Sequence, residues 1–358
     1  MTVLLVVVAL GFAFSMGAHY TGACMGMPHA LRAISGRRAL LVMAPLTLIG
    51  ATFASHGVEH TVARELLTGN GLSVSGLLIV LGVAFALTSL FTERRIPTST
   101  IQILVFSVIG AALAANIGIE WSHIAELALI WVCAPIVAAG LGYLLTKLLD
   151  RIPAVRGDTQ RVREGATAPW DSATDHPSAP ARPRASAREV APTSVAGGWL
   201  AWSLIAVGAL ASFAMGSNDV ANATGALVGT HTFSLLVAGL IGGIGLAAGV
   251  LTWGRPLLRR IAFDIVQVDR AMATAAQLVQ AVVVLGAVAF GFFTSMNQAL
   301  VGAMAGAGAA RGRHTVNVAT LVGIVRGWVI GPGAAVALSY ALARLVGALA
   351  GIHCLQRG

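Results

Sequence analysis

The chain has 358 residues, 57% of them hydrophobic and only 10% charged, with 42 glycines and a formal net charge of +9. A soluble domain carries about 25% charged residues, so this composition excludes a water-solvated globule. The positive balance does not mark nucleic-acid binding: the arginines sit between apolar stretches and aromatic residues make up only 6%, the pattern of basic loops beside an anionic membrane surface.

In chain order, the apolar stretches predict about ten helical spans, over 3–19, 39–56, 72–91, 98–115, 124–147, 198–216, 231–253, 273–292, 296–310 and 319–349. Several reach or approach the roughly 20 residues a helix needs to cross hydrocarbon. They are rich in Leu, Val, Ala and Gly and poor in turn residues, which favours helices over barrel strands. The first stretch, Val3–Met16, lacks the basic leading region of a signal peptide, Arg32 being the first formal side-chain charge, and reads as a retained span. From Asp150 to Ala196 the chain turns rich in Arg, Pro, Ala, Ser and Thr. Such a segment cannot bury enough apolar surface to offset its ordering entropy and reads as a disordered linker. The domains are therefore a membrane repeat over 1–149, a basic linker over 150–196 and a second membrane repeat over 197–358. Cys24, Cys133 and Cys354 form no CxxC pair and give neither a metal nor a disulfide framework; Cys24 and Cys133 are expected as small buried residues.

Basic residues set the orientation. Arg32, Arg37 and Arg38 follow the first span, Arg94 and Arg95 the third, Arg255, Arg259 and Arg260 the seventh, and Arg311 and Arg313 the ninth, with more arginines in the linker. Placing all of these in the cytoplasm requires five crossings per half, the first half starting outside and the second inside. The fold class is then an all-α polytopic membrane protein of about ten spans in two inverted-topology repeats. It would sit in the cell inner (plasma) membrane, surrounded by lipid, with its linker cytoplasmic. Met16–Gly26 and Gly216–Gly229 are glycine-rich and polar at corresponding points of the two halves, and Pro97–Gly110 and Thr294–Gly308 form a second pair. Interrupted helices at matching midplane positions point to a binding site, where half-helix N-termini offer N–H groups to an anion.

The sharpest motif is Gly216-Ser217-Asn218-Asp219-Val220-Ala221-Asn222-Ala223-Thr224-Gly225. Asp219 follows an apolar span with no neighbouring cation, and an ionisable residue at membrane depth is a functional candidate by default. Asn218 and Asn222 are four apart and share a helix face. This motif closely resembles the signature of the inorganic phosphate transporter (PiT) family of sodium- or proton-coupled symporters, whose members have it once in each half, with a Pro-x-Ser-Thr motif later in each half. Pro97-Thr98-Ser99-Thr100 looks like the first copy of that second motif, and Ala309-Ala310-Arg311-Gly312-Arg313 resembles the loop after its second copy.

The departures are specific. In the first half, His19 and Tyr20 stand where the family has Asn-Asp, and Ala23 where it has the second Asn; in the second half Thr294-Ser295-Met296-Asn297 keeps only Ser295 of the Ser-Thr pattern. Each half has retained a different motif, so one composite site is expected: Asp219, Asn218 and Asn222 from one half, Ser99 and Thr100 from the other, with Ser295 and Asn297 as further substrate ligands. A phosphate carries one to two negative charges near neutral pH, and burying it uncompensated costs several kcal/mol. Asp219 repels the anion and makes sense as a cation ligand or as an acceptor of a phosphate proton, with hard oxygen donors suited to sodium. Asp219, Asn218 and His19 form the expected coupling-ion set, His19 as a proton relay, its structural alternative being a satisfied polar filler.

The resemblance implies a secondary active symporter for inorganic phosphate working by alternating access, coupled to a proton or sodium ion, with no other cofactor, no metal and no nucleic-acid partner. The alternatives are a permease for sulfate or another oxyanion, and a transport-dead phosphate sensor or assembly partner. An enzyme is not expected: no Walker loop, nucleophile–base pair or zinc-protease motif is evident. Glycine-rich faces permit a homodimer. Elsewhere, Gln102 and Gln298 occupy equivalent positions and are candidates to line the path. His56, Glu59 and His60 have metal-ligand spacing but read as an outer span end, Asn116, Glu120 and His123 as an outer loop, and Arg326 as snorkelling inward or pairing with Asp219 or the substrate. Asp264 and Asp269 flank a surface amphipathic stretch.

Overall fold

The computed structural model describes residues 1–64, 66–69, 71–94, 96, 98–153, 155, 198–230, 232–259, 268–312 and 318–350. Most of the linker, together with Arg95, Pro97, Asp264, Arg313 and Cys354, lies outside them. Before the linker come α1 (Thr2–His19), α2 (Met27–Ala30), α3 (Gly36–Phe53), α4 (His56–Arg64), α5 (Val74–Arg94), α6 (Thr100–Ala114) and α7 (Trp121–Leu149). After it come α8 (Trp199–Gly229), α9 (Leu235–Trp253), α10 (Arg270–Ala289), α11 (Met296–Arg311) and α12 (Val318–Ala350). No strand occurs among the described residues, only an isolated bridge between Leu67 and Ile119.

Among the described residues, seven helical segments are long and apolar enough to cross a membrane: Thr2–Ala30, Val74–Arg94, Trp121–Leu149, Trp199–Gly229, Leu235–Trp253, Arg270–Ala289 and Leu321–Leu349. The three remaining expected spans are present as lesser helices. Arg37 and Arg38 occupy the first turn of α3, and α6 and α11 have only 15 and 16 residues. A helix of that length covers about 22–24 Å, short of the hydrocarbon thickness.

The expected pair of interruptions is present in one half only. After α1 the chain runs through a π-turn over Gly22–Gly26 into α2. Its counterpart does not break: α8 is continuous from Trp199 to Gly229. Three hydroxyls along α8 are satisfied without unwinding it. Ser212, Ser217 and Thr224 donate back to the carbonyls of Gly208, Ala214 and Val220. Gly216 is spent on packing rather than on a turn.

At the centre, α1 packs on α9, α8 packs on α3, and α3 packs on α9. These contacts require glycine. A Cβ on Gly17 of α1 would strike the Leu246 carbonyl of α9, and one on Gly249 would strike that of Phe14; Gly216 of α8 and Gly50 of α3 meet the Thr47 and Phe213 carbonyls in the same reciprocal way. Small residues thus let the backbones touch. Around this core, α5, α6 and α12 gather beside α1, while α10, α11 and α7 gather beside α8. The pairing pattern of one half is reproduced by the other, with one exchange the sequence did not announce: α7 of the first half packs on α11 of the second, and α12 of the second packs on α6 of the first.

The outer faces are apolar, with Leu129, Val132, Ile136 and Leu144 of α7 and Val329 and Ile330 of α12 exposed. Cys133 lies on that exposed face, contrary to the expectation that it is buried. Arg326 is likewise exposed on α12, which removes it as a partner for Asp219. The interior is a large apolar core that also holds polar residues: Ser15, His19, Thr47, Thr98, Ser99, Thr100, Asn218, Asp219, Asn222, Gln277, Gln280 and Asn297 are all buried.

Candidate functional site

The polar interior is organised by two helix N-termini that begin inside the protein. Thr98, Ser99 and Thr100 at the start of α6 and Thr294, Ser295 and Met296 at the start of α11 are fully buried. Ser99 and Ser295, expected as substrate ligands, are the N-caps of these helices. The Ser99 hydroxyl accepts from the Gln102 amide at 3.4 Å and that of Ser295 from the Gln298 amide at 3.3 Å. Serine fits an N-cap because its oxygen satisfies one of the amides left free in a first turn. The remaining first-turn amides make each terminus electropositive.

Asp219 lies across from α6. Thr100 Oγ donates to Asp219 Oδ1 at 3.5 Å, Asn222 Nδ2 donates to the same oxygen at 3.5 Å, and Asn218 Nδ2 donates to Oδ2 at 3.2 Å. The Tyr20 hydroxyl is 2.8 Å from Thr100 Oγ, and Asn222 Nδ2 is 3.3 Å from it. A hydroxyl has one proton and two lone pairs. With Tyr20 and Asn222 donating to Thr100, the Thr100 proton is free for Asp219, so the chain Tyr20–Thr100–Asp219 is complete. The carboxylate is surrounded by donors, and among the described residues no cationic side chain forms an ion pair with it.

Asn218 has a further task. Its Nδ2 donates to the Thr294 carbonyl at 2.8 Å and its Oδ1 accepts from the Thr294 amide at 3.1 Å. This pair of bonds clasps the segment leading into α11 and leaves the Asn218 oxygen occupied. His19, at the corresponding place of the first half, holds the segment leading into α6. Its Nδ1 is 2.9 Å from Thr92 Oγ and its Nε2 is 3.4 Å from the Thr98 carbonyl. Asn297 Nδ2 reaches that same carbonyl at 2.7 Å and lies 3.3 Å from His19 Nε2. His19 and Asn297 therefore meet each other rather than Asp219. Their link to Asp219 runs through Tyr20, whose ring stands edge-on to that of His19 at 5.2 Å.

Several buried oxygens here have no hydrogen-bond partner: Thr98 Oγ, Gln102 Oε, Asn222 Oδ, Thr294 Oγ, Asn297 Oδ and Gln298 Oε. Buried acceptors without donors are costly; of these, Asn222 Oδ belongs to a residue in contact with Asp219, where a free oxygen is suited to a cation or to the hydroxyl proton of a protonated oxyanion. Gln102 and Gln298 thus stand in the first turns of α6 and α11, as their equivalent positions suggested. Sequence reasoning missed Thr92, Thr98 and Gln277. Gln277 braces the π-turn by donating to the carbonyls of Ala23 and Cys24; nothing in its apolar sequence context marked it.

The other polar residues lie elsewhere. Glu120 accepts from Ser122 at 2.5 Å and His123 is 3.3 Å from Glu126 at the start of α7. Asp269 is the N-cap of α10, accepting from the Met272 amide at 2.9 Å, and is ion-paired to Arg311 at 3.1 Å, while Arg311 also meets Asp150 at 2.7 Å. Asp269 thus bridges three helix ends, and the stretch over 260–267 that it flanks lies outside the described residues.

Comparison with known proteins places this geometry in context. The model of the phosphate transporter family matches residues 16–339. The chain is 25% identical to the chloroplastic inorganic phosphate transporter 2-1 of Arabidopsis thaliana, over 89% of this chain and 67% of that protein. It is 23% identical to the sulfate permease CysP of Bacillus subtilis, over 94% of this chain and 86% of that protein. Its fold is similar to that of a solved sodium-dependent phosphate transporter, with a TM-score of 0.78 at 22% identity, covering 97% of this chain and 99% of the other.

Proposed function

The chain belongs to the phosphate transporter family, and from that premise we propose that it is a secondary active symporter carrying inorganic phosphate across the inner membrane by alternating access, coupled to a proton or a sodium ion, with its basic linker in the cytoplasm. The observation that carries the reading is the buried meeting of Asp219 with Thr100 at the N-terminus of α6. The electropositive starts of α6 and α11 supply amides for the oxyanion. Ser99, Thr100, Asn222, Ser295 and Asn297 surround that space. Asn218 holds the approach to α11 in place. Asp219, which repels an anion, takes the coupling cation or accepts a proton from the phosphate. His19 can relay a proton between its ring nitrogens, which face the Thr92 hydroxyl on one side and the Thr98 carbonyl and Asn297 amide on the other.

The test is uptake of labelled phosphate by the purified protein in liposomes, under separately imposed proton and sodium gradients. Uptake above protein-free vesicles, accelerated by one of the two gradients, is the expected result; no uptake under either gradient would reject it in favour of a sensor or assembly partner. Sulfate is the second reading, favoured by the likeness to a sulfate permease. Sulfate has no proton to donate to an ionised Asp219, so phosphate is the better match to the site. Excess sulfate should leave phosphate uptake largely unchanged, and strong competition would reverse the order.

A further inference from the structure

A second buried carboxyl group lies apart from the Asp219 cluster. Glu59 of α4 is fully buried, although the sequence placed it at an outer span end. Its Oε1 is 2.5 Å from Thr224 Oγ, and its Oε2 is buried with no hydrogen-bond partner. The Thr224 hydroxyl also lies 3.0 Å from the Val220 carbonyl four residues earlier. Ser55, the other hydroxyl beside Glu59, donates to the Ala51 carbonyl at 2.6 Å. Each hydroxyl has one proton, and in a helix it commonly goes to the carbonyl four residues back. Both hydroxyls then turn lone pairs toward Glu59. A neutral carboxyl completes this arrangement by donating to Thr224. An ionised one would face lone pairs unless both hydroxyls left their carbonyls, and Oε2 would still lack a donor.

Among the described residues no cationic side chain forms an ion pair with Glu59. Around Glu59, α4 packs against α8, α9 and α10. Neither α8 nor α9 carries a basic residue, and Arg270 of α10 stands in that helix's first turn, whereas α4 meets its other end through the bond from Thr61 to the Gly291 carbonyl. The remaining titratable groups are His56, His60 and Arg64 of α4 itself and Asp219 of α8. Burial pushes the Glu59 carboxyl up to about 7, so it changes charge in the physiological range.

We infer that Glu59 is a proton-binding site of the transport cycle, occupied by a proton while phosphate is in the Asp219 site and vacated when phosphate leaves. The inference rests on the phosphate-symport reading above. Thr224, which Glu59 touches, follows Asp219 by five residues on one helix, about 7.5 Å along its axis. Two buried carboxylates and a phosphate this close repel one another, and protonating Glu59 removes one of the charges. Phosphate and the proton therefore strengthen each other's binding, by on the order of tenfold for unit charges at this range. The proton comes from water and returns to it; no bond other than the carboxyl O–H is made or broken.

The experiment uses the full chain in phosphatidylethanolamine–phosphatidylglycerol vesicles, with inorganic phosphate as the probe. Infrared difference spectra of the wild type at neutral pH should show a protonated-carboxyl C=O band that is absent in Glu59→Gln, is kept in Asp219→Asn, and persists to higher pH when phosphate is added. Glu59→Gln, isosteric with the neutral acid, should still exchange labelled phosphate across the membrane but should lose the acceleration by an acid-outside gradient, and Glu59→Asp should restore part of it. The inference is overturned if the spectra of wild type and Glu59→Gln coincide, if the band ignores phosphate, or if the variant responds to the gradient as the wild type does. A phosphate-independent band together with absent wild-type uptake would sink the symport reading as well, whereas absent uptake with a phosphate-sensitive band would sink transport alone.

Discussion

At the scale of single residues, Asp219 and Thr100 carry the proposed site. Asp219→Asn keeps the shape but removes the charge that the surrounding donors serve. Hydrogen bonds to charged groups contribute about 1.5–3 kcal/mol. Gradient-driven phosphate uptake should therefore fall by roughly tenfold to hundredfold, and full coupled uptake by this variant would take Asp219 out of the site. Tyr20→Phe removes a neutral donor to Thr100 and should cost about fivefold or less in uptake, in keeping with about 1 kcal/mol for a neutral bond. His19→Ala should alter the pH profile of uptake, and an unchanged profile would reduce His19 to a clasp on Thr98. Glu59 makes a stability prediction of definite sign. Its carboxyl is raised from 4.5 to about 7 in the folded protein, so the native state holds the proton more tightly than the unfolded chain. That contribution is fully present below the unfolded value and is lost as pH rises through the folded one. The unfolding temperature in detergent should decline from about pH 4.5 to about pH 7 and level off above it, and Glu59→Gln should flatten the decline. Asp219 and Thr100 were legible because a carboxylate in an apolar run and a Ser-Thr pair stand out. The capping roles of Ser99 and Ser295 were not, since a serine before a helix reads alike as ligand or cap. Nor was the depth of Glu59, because α4 is a short polar helix whose burial comes only from its neighbours.

At the scale of helices, the sequence announced most of the apolar elements and their order, because hydrophobic runs are a strong signal. It misjudged α8, where glycines and asparagines suggested a break. Those residues are spent on other helices: Gly216 on α3, and Asn218 on the segment before α11. Glycine content alone cannot distinguish an unwound turn from a close packing face. The difference is measurable. Gly17→Leu and Gly216→Leu push side chains into facing backbone, an overpacking that costs typically 1–3 kcal/mol. Both variants should lower the unfolding temperature in detergent, while the same change at Gly82, whose Cβ position is open, should leave it nearly unaltered.

At the scale of the whole molecule, composition set the linker at 150–196, most of which lies outside the described residues, and the exchange of helices between halves was not legible. Periodicity says which face of a helix is apolar and says nothing of which distant helix covers it. The crossed pairs α6–α12 and α7–α11 mean that neither half buries its own helices completely. The bridge from Arg311 to Asp150 and Asp269 ties both halves together at the ends of α7, α10 and α11. Fragments 1–150 and 197–358, expressed together, should co-purify as one complex, whereas either alone should be degraded or aggregate.

The same crossing governs how the protein is made. A ribosome completes α6 long before it completes α12, so the nascent chain carries a 15-residue helix with its intended cover still unsynthesised. Until the last helix emerges, that short segment must wait at the insertion machinery or be shielded by a chaperone. A premature stop after α11 would leave a product whose defect is exposed to the quality-control proteases of the membrane, even though every residue of the Asp219 cluster had already been translated.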